Sequence, residues 1–492
     1  MQLRSLIKVL SKATISGDLD QEVRGITADS RDVMEGYVFI AVRGNDVDGQ
    51  KFISQAIENG ACAIVSEVAP AVDEKVGWAH VSDARAAVAA LACEWNEHPS
   101  SEMKVVGITG TNGKTTTAFI THAVMKSVWM RAGLLGTVQV DDGENIIPAT
   151  HTTPGAIELQ KTLGTMINNG CRGVAMEISS HALEQKRTDG LLLDVAVFSN
   201  LSQDHLDYHG DMDSYFNAKR KLFELLEHQS GDKKTTAVIN LDDPYGQRLV
   251  EEFKGRLYIS TYGRGVHADM RIGREKQTAR GTEFEVKFKG REYLVRTPYI
   301  GRFNIDNCTA ALAACCAAGI KPRDAVRALA EVPQVPGRME CVGSRDGATL
   351  FVDYAHTPDA IEKACAAVRE LRPKRLITVF GCGGDRDRTK RPQMGKAAAS
   401  VSDLCIVTSD NPRSESPSEI IKDIEKGMVG KRYEAIPDRM QAIQTAVNIS
   451  EDGDVILIAG KGHETYQEIS GSKIDFDDRR AGYKALNLKK VE

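Results

Sequence analysis

The sequence predicts an α/β protein of three domains. Three observations carry that expectation. Short apolar runs alternate with amphipathic stretches along most of the chain, the βαβα rhythm of parallel sheets covered on both faces. Most of the apolar runs end in loops rich in Gly, Asp, His or Arg, where open α/β sheets bind their ligands. The chain has 492 residues, too many for one ordinary core. The domains are read as 1–100, 101–335 and 336–492.

In the first domain, MQLRSLIKVLSKATISGDLD is broken by Lys8 and Lys12 and lacks a small-residue cleavage site, so it reads as an ordinary helix rather than a signal peptide. YVFIAV and ACAIV read as strands, and KFISQAIENG as a short helix with Gly60 at its C-terminal end. ARAAVAALACEWNEH is an Ala-rich helix ended by Pro99. The second domain opens on KVVGITGTNGKTTT and continues through the strands AGLLGT, GVAMEIS, DVAVFSN and TAVINLD. TEFEVKFKGREYLVRTP alternates and carries charge, so it reads as an antiparallel hairpin added to a parallel sheet. The third domain begins near VPGRMECV. Its strands are TLFVDYAH, RLITVFGCGGD, LCIVTSDNPR and DVILIAGKGHE, and SEIIKDIEKGM reads as a helix opened by a Ser cap. The expected architecture is an N-terminal α/β domain, a central P-loop sheet with added antiparallel strands, and a C-terminal Rossmann-like α/β domain.

Composition narrows the function classes. Net charge is −5, which argues against nucleic acid or an anionic membrane as the main partner. No apolar run approaches the roughly 20 residues that span a bilayer. The ten cysteines are scattered singly apart from Cys315–Cys316, with no CxxC pair, the pattern of buried thiols in a reducing cytoplasm.

GITGTNGKTTTAFI sets a strand, a glycine turn, a lysine and a threonine run before a helix. Backbone N–H groups of Gly110, Thr111, Asn112 and Gly113 can approach an anion at a helix N-terminus. Lys114 can reach the terminal phosphates, Thr115 can hold Mg²⁺, and Thr116 follows. The match to the general P-loop pattern is imperfect, because Ile108 stands where a glycine is expected. ATP is the expected nucleotide, since no guanine-reading NKxD follows. A P-loop alone leaves motors, kinases, switches and ligases open. Two further strand ends add polar chemistry: Glu177, Ser179, Ser180, His181, Gln185 and Arg187 in MEISSHALEQKR, and Asp204, His205, Asp207, His209 and Lys219 in the next loop and helix. Taken singly these residues could be caps. Beside a phosphate loop, carboxylate and imidazole suit magnesium and phosphate.

DNPR, Asp410–Arg413, follows an apolar strand. An Asp and an Arg on one loop stiffened by Pro412 can grip a ligand that carries both charges, such as an amino acid. The bland alternative is a helix-capping turn with an exposed arginine.

GTNGKTTT, HTTP, EISSHALEQKR, DHLDYHGDMDSYFNAK, GRFNIDN, DYAHTPDA, GCGGDRDRTKRP, DNPR and GKGHE stand in the order found in the Mur ligases, and the chain resembles that family over nearly its whole length. Within it, the resemblance implies ATP-dependent addition of meso-2,6-diaminopimelate to UDP-MurNAc-L-Ala-D-Glu, by a cytoplasmic monomer that binds neither nucleic acid nor membrane. Ser30 and Asn45 then match the uridine-nucleotide site. Thr152, Thr153, Ser179, Gln185 and Arg187 match residues that hold the UDP-muramoyl dipeptide. Lys219 matches a lysine carried as a carbamate, which with Glu177 and His205 ligates a second magnesium, Thr115 serving the first. Lys114, Lys219, Glu177 and His205 form the expected catalytic group. Asn304, Arg338 and Asp353 match ATP-binding residues, with His356 close by. Arg386, Asp410, Asn411, Pro412, Arg413, Gly460 and Glu464 match the site for the incoming amino acid. His151 stands where other members have Asn. A lysine-adding or folylpolyglutamate-type ligase, and a P-loop switch that ligates nothing, remain the rival readings.

Overall fold

The computed structural model describes residues 1–44, 47–69, 76–229 and 233–487. They divide into two compact units, 1–271 with 309–328, and 272–308 with 329–487.

The first unit contains two sheets. β1 (Thr14–Ser16), β2 (Gly25–Thr27), β3 (Tyr37–Ala41), β4 (Ala63–Ser66) and β5 (Gly77–His80) form the smaller, in the order β1-β5-β4-β3-β2. All of its pairs are parallel except β1 with β5. Its central strands are buried runs rather than alternating ones, as a sheet covered on both faces requires. The expected N-terminal helix shrinks to Leu3–Leu6 and a 3₁₀ turn. The Ala-rich helix spans Ala84–Trp95 and stops before Pro99, because Glu97 and His98 take positive φ.

The second sheet of this unit holds β6 (Lys104–Thr109), β7 (Gly133–Leu135), β8 (Gln139–Asp141), β9 (Ile146–Pro148), β10 (Gly173–Glu177), β11 (Val195–Phe198), β12 (Thr236–Asn240) and β13 (Ile259–Gly263). The order is β13-β12-β11-β6-β10-β7-β8-β9, parallel from β13 to β7. β6 therefore lies between β10 and β11. Register pairs Glu177 with Ile108 and Phe198 with Thr109, so three loops leave the sheet at one level. The amphipathic helix Met212–His228 packs on this sheet through Phe216, Leu222 and Phe223.

The second unit contains Ile272–Thr278 of β14 (Met270–Thr278) and the hairpin β15 (Gly281–Phe288) with β16 (Arg291–Thr297), the hairpin expected from alternation. Its main sheet is built from β17 (Glu340–Arg345), β18 (Ala348–Asp353), β19 (Leu376–Phe380), β20 (Leu404–Val407), β21 (Tyr433–Ala435) and β22 (Val455–Ala459). The order is β17-β18-β22-β19-β20-β21, and only β17 runs antiparallel. Side chains divide with period two. Leu350, Val352, Ile377, Val379, Ile406, Ile456 and Ile458 face one core with helices Arg439–Asn448 and Asp478–Ala485. Phe351, Phe380, Cys405, Val407 and Leu457 face the other, with helices Pro358–Glu370, Lys390–Val401 and Pro417–Glu425. A last hairpin joins β23 (Tyr466–Ile469) and β24 (Ser472–Asp475). The helix after DNPR starts at Pro417, with Ser416 as N-cap and no side-chain capping bond, so the expected Ser cap is corrected. Proline at the first helical position needs no donor there.

All ten cysteines are free thiols, seven of them buried. Among the described residues, no helix is long and apolar enough to cross a membrane.

Candidate active site

In the first unit the phosphate loop leaves β6 at Gly110. This residue has φ of +144°, and a Cβ there would lie 1.9 Å from Ser199 Oγ, so only glycine fits. Helix Lys114–Trp129 then starts with its N-terminus at the loop. Lys114 Nζ donates to the carbonyls of Gly110 (3.0 Å) and Thr111 (2.9 Å). Asn112 and Thr111 are tied to the loop after β11 through Asn200 Oδ1, Ser202 O and Ser202 Oγ. Thr116 is buried in the first helical turn.

Glu177, at the end of β10, is only 1% exposed. Its Oε2 accepts from Thr115 Oγ1 (2.9 Å) and Thr137 Oγ1 (3.1 Å), and its Oε1 from Thr137 N (2.7 Å). Thr137 Oγ1 also lies 3.1 Å from Thr152 Oγ1. The Glu177 carbonyl accepts from Thr153 Oγ1 at 2.8 Å, and Ser179 N donates to that same hydroxyl. Arg187 donates to Thr153 O (2.9 Å) and, in fork fashion, to Gln185 Oε1. The structure thus brings Thr152, Thr153, Ser179, Gln185 and Arg187 together beside the carboxylate. His151 is exposed against Thr150.

Lys219 is 1% exposed, and its Nζ donates to Gly110 O at 2.7 Å and sits 4.5 Å from the Tyr215 ring. Burial, reinforced by the like charge of Lys114, pushes its amine far below the usual lysine range. The surface lysine that a helix pattern suggests by default is therefore a buried one. His205 packs against His181 (5.0 Å between centroids) and Tyr215 (6.1 Å), and its Nε2 lies 3.5 Å from Asp204.

A hydroxyl and a carboxylate oxygen already 2.9 Å apart form a hard-oxygen pair of the type magnesium takes. Among the described residues no group of three or more His, Cys, Asp or Glu could hold a metal. The fit to magnesium therefore rests on Thr115 and Glu177. Ser30, 8% exposed, opens the 3₁₀ turn Ser30–Asp32 behind the capping Asp29. Asn45 lies outside the described residues.

In the second unit, Asn304 is 2% exposed at the start of helix Arg302–Ala317 and bonds Ile300 O and Asn307. Asp353, at the end of β18, accepts from the amides of Met339 (2.7 Å) and Ala355 (2.9 Å), and burial raises its pKa. The Arg338 guanidinium lies 4.6 Å over the Tyr354 ring. His463 stacks 5.1 Å from Tyr354, and its pKa falls to about 4, first through burial and then through Arg338 and Arg479. His356 is exposed beside the Tyr354 carbonyl.

The DNPR loop leaves β20 next to the loops after β19 and β22. Asp410 Oδ1 accepts its neighbour's amide, Asn411 N, at 2.7 Å. Gly460, with φ of +119°, comes so close to Asp410 that a Cβ would lie 2.5 Å from Oδ2. Asn411 Nδ2 donates to Glu464 Oε2 at 2.8 Å, joining the two loops. Arg413 has φ of +53° and is held by bonds to Glu468 O and from Ser470 N. Its guanidinium donates to Gly384 O (2.7 Å) and lies 3.2 Å from Glu468. Arg386 is exposed on the loop after β19. Asp410, Asn411, Pro412, Arg413, Gly460 and Glu464 are thus neighbours, and Arg413 is braced rather than free.

Two residues absent from the sequence reading stand out. Arg439 is fully buried and pairs with the equally buried Asp478 through Nε (2.7 Å) and Nη2 (2.6 Å). It also donates to the carbonyls of Ser409 (3.1 Å) and Ala459 (3.0 Å), which immediately precede Asp410 and Gly460. Lys461, also 0% exposed, bonds Asn411 and Glu464. The one available signal for Lys461 is its place between two glycines at a strand end; Arg439 gives none.

Three family models cover most of the chain: the Mur ligase family catalytic domain at 22–107, the middle domain at 108–315 and the glutamate ligase domain at 337–462. UDP-N-acetylmuramoyl-L-alanyl-D-glutamate–2,6-diaminopimelate ligase of Geobacter metallireducens is 42% identical, with 99% of each chain covered. The chain belongs to the Mur ligase family. The Geobacillus kaustophilus ligase of the same name is also 42% identical over 99% of both chains. A solved Mur ligase structure under that name aligns with a TM-score of 0.74 at 33% identity, over 99% of each chain. These matches span both units and take in both the phosphate loop and the DNPR and GKGHE loops.

Proposed function

We propose that this Mur ligase joins meso-2,6-diaminopimelate to the D-Glu γ-carboxylate of UDP-MurNAc-L-Ala-D-Glu, with cleavage of ATP to ADP and phosphate, as a cytoplasmic step in peptidoglycan precursor synthesis. One observation carries the reading: Thr115 of the phosphate loop bonds Glu177, whose strand end also gathers Thr152, Thr153, Ser179 and Arg187. A nucleotide cradle and an acceptor cradle thus share one carboxylate. The names of the full-length relatives support the choice of substrates.

A carboxylate is a poor acyl donor. A γ-carboxylate oxygen attacks the γ-phosphorus of ATP, ADP leaves, and an acyl phosphate results. The amine of the amino acid then attacks the acyl carbon, and the tetrahedral intermediate expels phosphate. Lys114 exchanges its two loop carbonyls for the γ-phosphate and stabilises charge on the transferring group. Two magnesium ions, the first of which Thr115 would hold and the second Glu177, His205 and a carbamylated Lys219, would supply charge neutralisation when bound. The buried amine of Lys219 suits that modification: uncharged nitrogen adds to carbon dioxide, a proton leaves, and a cation position becomes an anion. Asn304, Arg338 and Asp353 serve ATP, and Ser30 and Asn45 the uridine nucleotide. The assignment follows the domains 1–100, 101–335 and 336–492, acting as a monomer.

Diaminopimelate differs from lysine by a carboxylate beside its distal ammonium. Arg413 offers a planar fork for that carboxylate, with Arg386 as second cation, and Asp410 and Glu464 receive the ammonium. A site built for a polar group can reject its absence by about 10⁴-fold. Purified protein with ATP, Mg²⁺ and the UDP-dipeptide should give a product mass for diaminopimelate and almost none for L-lysine. Arg413→Ala should raise the diaminopimelate KM and shrink that preference, with the ATP KM little changed. Equal use of lysine by the wild-type protein, or ATP turnover independent of both acceptor and amino acid, rejects the assignment.

A further inference from the structure

We infer that Lys461 is a positioning residue for the amino-acid site: it locks Asn411 of DNPR to Glu464 of the loop after β22, so that both loops form one rigid wall. The inference rests on the proposed ligase reading. Lys461 is 0% exposed, and burying an ammonium costs several kcal/mol unless it is paired and hydrogen-bonded. Its partners are Asn411 Oδ1 at 2.9 Å and Glu464 Oε2 at 3.1 Å, and the Tyr466 ring lies 5.5 Å away. Asn411 Oδ1 also accepts from Glu468 N at 3.0 Å, which fills both of its lone pairs. The Asn411 amide nitrogen turns to the same Glu464 oxygen at 2.8 Å.

Asn411, 3% exposed, is therefore engaged by the protein on both ends of its amide. It contributes to the site as the link between loops. The carboxylate, 21% exposed, has one oxygen fixed by two charge-assisted bonds, and the second oxygen is aimed by that restraint. Nothing in Lys461 needs to touch the substrate. Its effect reaches the ligand through the direction of Glu464 and the placement of Asp410 and Arg413 on either side of Asn411.

The test is steady-state kinetics of full-length Lys461→Met and Lys461→Gln with ATP, Mg²⁺, UDP-MurNAc-L-Ala-D-Glu and meso-diaminopimelate, alongside thermal melts. Both variants keep the length of the side chain approximately and lose the ammonium. The expected result is a rise of about 10-fold or more in the amino-acid KM, a kcat changed by less, an ATP KM within about twofold, and a retained melting transition. In a cycle with Glu464→Gln the two substitutions should be non-additive, because Lys461 acts through that carboxylate. An unchanged amino-acid KM, additive effects, or loss of folding or of the ATP KM would overturn the inference, the last because the role is then general to the fold. If the wild-type protein uses another amino acid instead, the diaminopimelate reading fails first, and the same variants are read with the amino acid it does use.

Discussion

Arg439→Met should destabilise the second unit by about 4–7 kcal/mol. Both members of the Arg439–Asp478 pair are 0% exposed, so the substitution strands a carboxylate away from water. Removing one partner of a buried pair costs about 3–5 kcal/mol. The carbonyls of Ser409 and Ala459 each lose a donor as well, which adds roughly 0.5–1 kcal/mol apiece. For a body of this size the total corresponds to a melting shift of about 8–28 °C. Calorimetry at neutral pH reads it directly. The control is Arg439→Met with Asp478→Leu, which removes both charges and should recover most of the loss, since apolar replacement of a whole buried pair is often close to neutral. The amino-acid KM should stay raised in the double variant, because the two strand ends before Asp410 and Gly460 no longer share a donor. A single variant that melts within about 2 °C of the wild type, or a double variant no better than the single, refutes the argument.

Two further outcomes are expected. His463 has a folded pKa of about 4 against 6.5, so its neutral form belongs to the fold. The unfolded chain binds the extra proton first, and the stabilisation, on the order of 3 kcal/mol, is complete above pH 6.5 and lost as pH falls towards 4. His463→Gln should flatten the melting-temperature slope across that window, and an unchanged slope excludes the residue as its cause. Lys219→Ala should lose most ligase turnover, with partial recovery by a small carboxylate added in trans but none by bicarbonate. Turnover at the wild-type level would rule out a carbamate there.

The parts legible in the sequence are those with local causes. Glycines, Lys114 and the threonine run sit within one strand–turn–helix unit, and alternation alone marks the β15–β16 hairpin. The helix ending at Trp95 was overextended because backbone at Glu97 and His98 turns left-handed without a glycine to mark it. Arg439 is unmarked in the sequence, and Lys461 is marked only by its flanking glycines, for a different reason. A charged side chain in a helix or loop is exposed by default. What overrides the default here is a partner 39 residues away for Arg439 and 50 away for Lys461, on elements that only the sheet order makes adjacent. Arg391, 2% exposed between Glu415 and Asp423, repeats the pattern.

Glu177 has more to do than its four donors suggest. Thr115 reaches it from the phosphate loop, and Thr137, itself beside Thr152, from the loop after β7. A group that draws Thr115 away changes what the carboxylate asks of Thr137, and therefore what Thr152 is free to offer. Binding energies linked through one shared group are reciprocal: whatever factor the nucleotide applies to the acceptor, the acceptor applies to the nucleotide. In the proposed reaction the two substrates are therefore not independent occupants. The affinity of each then depends on whether the other is bound, by a coupling factor that is the same in both directions.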